Sequence, residues 1–74
     1  MKALPGKKTK AVAENIRKHR EQLNYSQDYL ARKLEVSQNA YSKIELGISN
    51  ITVDRLFAIA DVLDVDLADL LNIK

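Results

Sequence analysis

Apolar residues recur along this chain at helical spacing, and no stretch alternates as a strand would. Four times the same start signal appears: an apolar residue, a capping residue, then a second apolar residue four places after the cap. The four are Tyr25-Ser26 with Leu30, Val36-Ser37 with Tyr41, Ile51-Thr52 with Leu56, and Val65-Asp66 with Leu70. A cap side chain satisfies orphan N–H groups of the first turn, and the flanking apolar pair staples the entering chain. The caps stand 11, 15 and 14 residues apart, which sets the length of each helical unit.

Ahead of them Val12, Ile16, Arg20 and Leu23 follow helical spacing, with Thr9 as a plausible cap. The pattern thus predicts five helices, over about 10–23, 27–34, 38–46, 53–63 and 67–72. Asn24 and Gly47 stand after the first and third, where a left-handed residue commonly closes a helix. The same register predicts a core of Val12, Ile16 and Leu23, then Leu30, Ala31 and Leu34, then Ala40, Tyr41 and Ile44. The fourth helix adds Leu56, Ile59, Ala60 and Leu63 on an i, i+3, i+4, i+7 stripe. Ala31 and Ala60 are small, as close helix crossings require. Residues 1–8, with Pro5-Gly6 and three lysines, read as a flexible basic arm, and 9–74 as a single all-α domain.

Composition narrows the functional classes. The chain of 74 residues has no cysteine, one histidine, two glycines and one proline. There is therefore no thiolate metal site, no cysteine nucleophile and little material for a phosphate-cradling loop. His19 reads as a helix-surface residue, not a ligand. No metal or other cofactor is implied, and no nucleophile–base pair supports an enzyme. No apolar run of about 18 residues is present, and the start of the chain lacks a hydrophobic signal core, so the expectation is a cytoplasmic protein without a membrane span. The net charge of +2 conceals a gradient: +6 over residues 1–20, −1 over 21–50 and −3 over 51–74. One end is suited to a polyanion, and the other is turned away from it.

Only Glu35-Val36-Ser37 separate the second and third helices. So short a connection forces two short helices to cross steeply, which is the helix-turn-helix geometry. Gln38, Asn39, Ser42 and Lys43 then share the outer face of the third helix. Gln and Asn can bond an adenine edge in bidentate fashion, Lys can bond guanine O6 and N7, and Ser can bond base or phosphate.

These residues carry a specific resemblance. Residues 16–71 resemble the Cro/lambda-repressor-like (XRE) helix-turn-helix family. The resemblance rests on Arg20, Ser26-Gln27, Leu30-Ala31, Val36-Ser37, Ser42-Lys43-Ile44-Glu45, Gly47, Leu56, Ile59-Ala60, Leu63 and Leu70-Leu71. It implies a compact five-helix domain that binds operator DNA as a dimer. It further implies that Gln27 bonds phosphate and braces Gln38, the first base-reading position. Ser37, Asn39 and Lys43 fall where relatives touch bases or adjoining phosphates. Arg20 and Glu45 match positions that form a buried or half-buried ion pair between the first and third helices. Some positions depart from the pattern. Asn24 and Glu35 stand where glycines are often found, Leu46 replaces a phosphate-bonding asparagine, and Thr52 replaces a frequent proline.

The resulting expectation is a sequence-specific regulator, acting as a repressor on a palindromic operator. Its base readers would be Gln38, Asn39, Lys43, Ser37 and Ser42. Phosphate contact or bracing would fall to Gln27, Ser26, Lys7, Lys8 and Lys10. The acidic, apolar last third would form a homodimer through Phe57, Leu67 and Leu71. The alternative in another class is a protein-interaction module, such as the antitoxin of a toxin–antitoxin pair, with DNA binding secondary.

Overall fold

The computed structural model describes residues 6–72, and every regular element among them is helical. The elements are α1 Lys7–Gln22, α2 Gln27–Leu34, α3 Gln38–Leu46, α4 Val53–Leu63 and α5 Leu67–Leu71. Their boundaries follow from side-chain chemistry at each end. Ser26, Ser37 and Thr52 accept hydrogen bonds from the N–H groups of Tyr29, Ala40 and Arg55 at 3.0, 3.0 and 3.1 Å. At α5 the support runs the other way, with Asp69 accepting from the N–H of Asp66 at 3.1 Å.

Four helices stop in the same manner. Asn24, Glu35, Gly47 and Asp64 all take the left-handed conformation, with φ of 59°, 60°, 74° and 57°. The next residue then donates back across the last turn, from Tyr25 to Arg20, Val36 to Ala31, Ile48 to Lys43 and Val65 to Ala60, at 3.0–3.3 Å. This satisfies carbonyls that would otherwise lack partners, and it tucks the following apolar residue beneath the helix. Tyr25, Val36 and Val65 accordingly pack against the core.

Tyr41, Ile16, Leu30, Ile59, Leu63 and Leu70 are the largest fully buried side chains. α1 crosses α3, α4 and α5, while α2 packs between α3 and α4. The Asn15 amide ties the short α5 to α1 by donating to the carbonyls of Leu70 and Asn72 at 3.0 and 3.1 Å.

The structure corrects several expectations. α1 starts at Lys7, so Lys7 and Lys8 are helical and not part of an arm. Residues 1–5 lie outside the described residues. Gly6, not Thr9, is the N-cap, and no side chain caps that end. Leu23 is 42% exposed, because it falls after the last full turn of α1, where the chain has already left the core. Ala40 is exposed as well. The buried face of α3 is centred on Tyr41, Ile44 and Glu45, and Ala40 lies at its edge. Leu56 is only partly buried, whereas Ala13 and Leu70 join the interior.

Candidate nucleic-acid interface

The helix-turn-helix is built from α2, the Glu35–Ser37 turn and α3. Its sharpness comes from Glu35, whose left-handed backbone reverses the chain within three residues. The Leu34 carbonyl at the end of α2 accepts from Arg55 Nη1 of α4 at 3.2 Å, which anchors the turn to the rest of the domain.

Beyond the turn, Gln38, Asn39, Ala40, Lys43 and Leu46 are exposed on α3, and Ser42 is half-buried. Gln38 and Asn39 occupy the first turn. The Ser37 hydroxyl oxygen is engaged as a cap, which leaves its O–H free to donate elsewhere.

Behind this surface one carboxylate organises three elements. Glu45 is almost wholly buried, at 2% side-chain exposure, and Arg20 is at 11%. Arg20 of α1 grips it with both arms of its fork, Nε to Oε2 at 2.6 Å and Nη2 to Oε1 at 3.0 Å. Its remaining terminal nitrogen, Nη1, donates to the Tyr25 carbonyl at 2.8 Å. The Tyr41 hydroxyl donates to Oε2, and the Gln27 amide donates to Oε1 at 3.0 Å. Burial pushes the Glu45 carboxyl upward, but the bonds from Arg20, Tyr41 and Gln27 outweigh it and hold it below the usual carboxylate range. Burial, reinforced by the bond to Glu45, pushes the Tyr41 hydroxyl well above the ordinary tyrosine value. The bond to Glu45 outweighs desolvation at Arg20 and raises its already high value.

Gln27 thus directs its Nε2 at Glu45 of α3, adding a second donor to an oxygen that Arg20 already holds. Tyr41 reads in the sequence as a core residue, but its i, i+4 spacing to Glu45 on α3 is the signal for this contact.

Gly47 brings a second basic element alongside α3. A Cβ at this position would meet Lys10 Cγ and Cα at 2.8 and 2.9 Å, so only glycine allows α1 this approach, and its φ of +74° suits glycine too. The first turn of α1 is in this way fixed beside the C-terminal end of α3. Lys7, Lys8 and Lys10 are exposed there, and the turn has no acidic residue.

The expected dimer residues lie elsewhere. Phe57 is 52% exposed, Leu71 45%, and Leu67 is half-buried. Val53 and Ile48 are likewise exposed, at 63% and 55%, and Val53 lies one turn from Phe57 on α4. Among the described residues no cluster of His, Asp or Glu could hold a metal ion, and no helix is long and apolar enough to cross a membrane.

Comparison with known proteins agrees with this geometry. A helix-turn-helix family model matches residues 16–70. The N-terminal DNA-binding domain of SinR from Bacillus subtilis is 31% identical, with a TM-score of 0.74 over 85% of this chain and 93% of that one. The clp gene regulator ClgR from Corynebacterium glutamicum shares the fold at 22% identity, with a TM-score of 0.85 over 90% of this chain and 71% of that one. So does the restriction-modification controller protein C.AhdI from Aeromonas hydrophila, at 21% identity and a TM-score of 0.79, covering 84% of this chain and 94% of that one. None of the curated proteins gives a significant match. With the family pattern running from Ile16 to Leu70 and the fold shared throughout, the chain belongs to the XRE-type helix-turn-helix family of DNA-binding transcription regulators.

Proposed function

We propose that this protein is a repressor that binds a palindromic operator as a homodimer, with α3 lying in the major groove. The observation that carries the reading is the exposed Gln38-Asn39 pair on the first turn of α3, the end from which recognition helices reach base edges. Those two residues and Lys43 read bases, and Ser37 and Ser42 contribute hydroxyl donors to bases or adjoining phosphates. Ser26 and Gln27, at the start of α2, meet the backbone. Gln27 spends one amide N–H on Glu45 and retains a second for a phosphate. Lys7, Lys8 and Lys10 add phosphate contacts from a rigid helical turn, which compensates for Leu46 at a position where relatives bond phosphate. SinR, the 31%-identical relative, has been crystallised in complex with DNA, which supports a nucleic-acid role for this chain.

The dimer follows from information content. One recognition helix reads only a few base pairs, too few to select a site among many competitors. Two subunits related by a two-fold axis read half-sites about one helical turn, ~34 Å, apart. The −3 charge of residues 51–74 keeps that third away from DNA, and Phe57, Leu67 and Leu71 supply the apolar contact.

The test is binding to operators selected from random DNA, followed over a range of salt concentrations. Neutralising Z phosphates gives a log K against log salt slope of about −0.9Z, so a dimer should show a slope steeper than roughly −4. Absence of salt dependence, or a strictly 1:1 complex on a palindromic site, would overturn the reading.

A further inference from the structure

The first turn of α3 contains an exposed residue that cannot form a side-chain hydrogen bond, beside the two proposed to read bases. Ala40 occupies the first turn of α3 together with Gln38 and Asn39, and it is exposed. At 100° per residue it lies about 60° round the helix from Lys43, on the same side of α3. Lys43 is itself exposed. Next to Ala40 a shallow groove opens between α3 and the chain leading into α4. Val36, Ala40, Ile44 and Ile51 form its apolar side, and Ser49, Asn50, Thr52 and Arg55 its polar side. Ile44 is buried, and Val36 and Ile51 are half-buried against the core. Ala40 therefore stands with Val36, Ile44 and Ile51 on the apolar side of that groove, beside an otherwise polar face.

A base edge in the major groove offers donors, acceptors and one apolar group, the C5-methyl of a pyrimidine. Ala40 can recognise only the last of these. We propose that Ala40 reads a C5-methyl group, thymine or 5-methylcytosine, at one position in each half-site, with the apolar side of the groove, Val36, Ile44 and Ile51, helping to withdraw that methyl from water. The inference rests on α3 being the base-reading helix. It adds a contact of a chemistry different from those of Gln38, Asn39 and Lys43.

Burying one methyl is worth about 0.8 kcal/mol, which corresponds to about a four-fold change in affinity per half-site and about fifteen-fold for a symmetric operator. The experiment uses the full chain and its selected operator. Each dT of the half-site is replaced in turn by dU, which deletes the methyl and leaves every hydrogen-bonding group in place. In parallel, each dC is replaced by 5-methyl-dC, which separates the two sources of the methyl. The same pairs are then measured with Ala40→Gly. Because the readout is the ratio of affinities within each matched pair, any loss of stability in the variant cancels.

The expected result is one position per half-site where removing the methyl weakens binding about four-fold, with the ratio falling to about one in Ala40→Gly. Sequence-selective binding with ratios of one at every position overturns the assignment of Ala40 while leaving α3 as the reader. A methyl ratio that survives unchanged in Ala40→Gly overturns it too, because another residue then holds the methyl. Failure to select any DNA sequence defeats the base-reading role itself, and this inference with it.

Discussion

Replacing Arg20 by alanine should be among the most damaging single changes in this domain. The substitution removes both bonds to Glu45 and the bond to the Tyr25 carbonyl, and it leaves a carboxylate of 2% exposure without a counter-charge. The Tyr41 and Gln27 donors remain, so Glu45 keeps two hydrogen bonds, but these carry no full positive charge. Breaking one member out of a buried pair costs on the order of 3–5 kcal/mol. Net stability of about 0.05–0.15 kcal/mol per residue gives a chain of this size roughly 4–11 kcal/mol in all. The loss is therefore comparable with the total. Urea unfolding followed by circular dichroism is the appropriate assay, with Arg20→Ala expected to shift the midpoint far toward zero denaturant at a largely unchanged slope. Arg20→Lys retains the charge but not the fork and should fall between the two. Glu45→Gln combined with Arg20→Ala removes both charges and should recover part of the loss, because no uncompensated ion is left. A loss below about 1 kcal/mol for Arg20→Ala would refute the reasoning, as would a double variant less stable than the single one. In either case the pair would be a screened surface contact, not a buried brace.

Further outcomes follow from the same network and from the helix ends. Glu45 has a lowered folded-state pKa, so its contribution is present above the unfolded carboxylate range and is lost as pH falls below about 4.3 and through the folded value. Glu45→Gln should flatten the acid limb of a stability-versus-pH curve. Tyr41 has a raised value, so its contribution is complete below about pH 10 and declines as pH rises beyond the unfolded tyrosine value; Tyr41→Phe should remove that alkaline decline. Glu35→Gly should stabilise the fold by about 1 kcal/mol in thermal or urea unfolding, since a left-handed backbone strains any residue with a Cβ. Gly47→Ala should do the reverse and cost more, because the new Cβ also strikes Lys10. Gln38→Ala or Asn39→Ala should cost about 1–3 kcal/mol on the selected operator and much less on random DNA, measured by competition binding. Equal losses on both kinds of DNA would remove α3 from the reading role.

The local rules written along the chain fixed a large part of this molecule. Ser26, Ser37 and Thr52 lie ahead of apolar stripes and do cap α2, α3 and α4, because capping chemistry depends only on residues within one turn. The three-residue link between Leu34 and Gln38 was likewise enough to require a steep helix crossing. The Arg20–Glu45 pairing came from family resemblance, since 25 residues separate the two and no periodicity joins them. Tertiary structure alone decided the rest. Gln27 reaches Glu45 because α2 packs against α3 there, and a buried carboxylate recruits donors that lie within reach, whereas the Tyr41 bond is a local i, i+4 contact within α3. Ala40 and Leu23 satisfy helical periodicity but fall outside the core, because α3 is in contact with its neighbours over a narrow arc and α1 ends before Leu23. Lys7 and Lys8 read as part of an arm in the sequence but form, with Lys10, the first turn of a helix, held against α3 where Gly47 leaves room for Lys10. Periodicity tells which side of a helix is apolar. How much of that side is covered, and which polar groups it encloses, depends on where the other helices cross it.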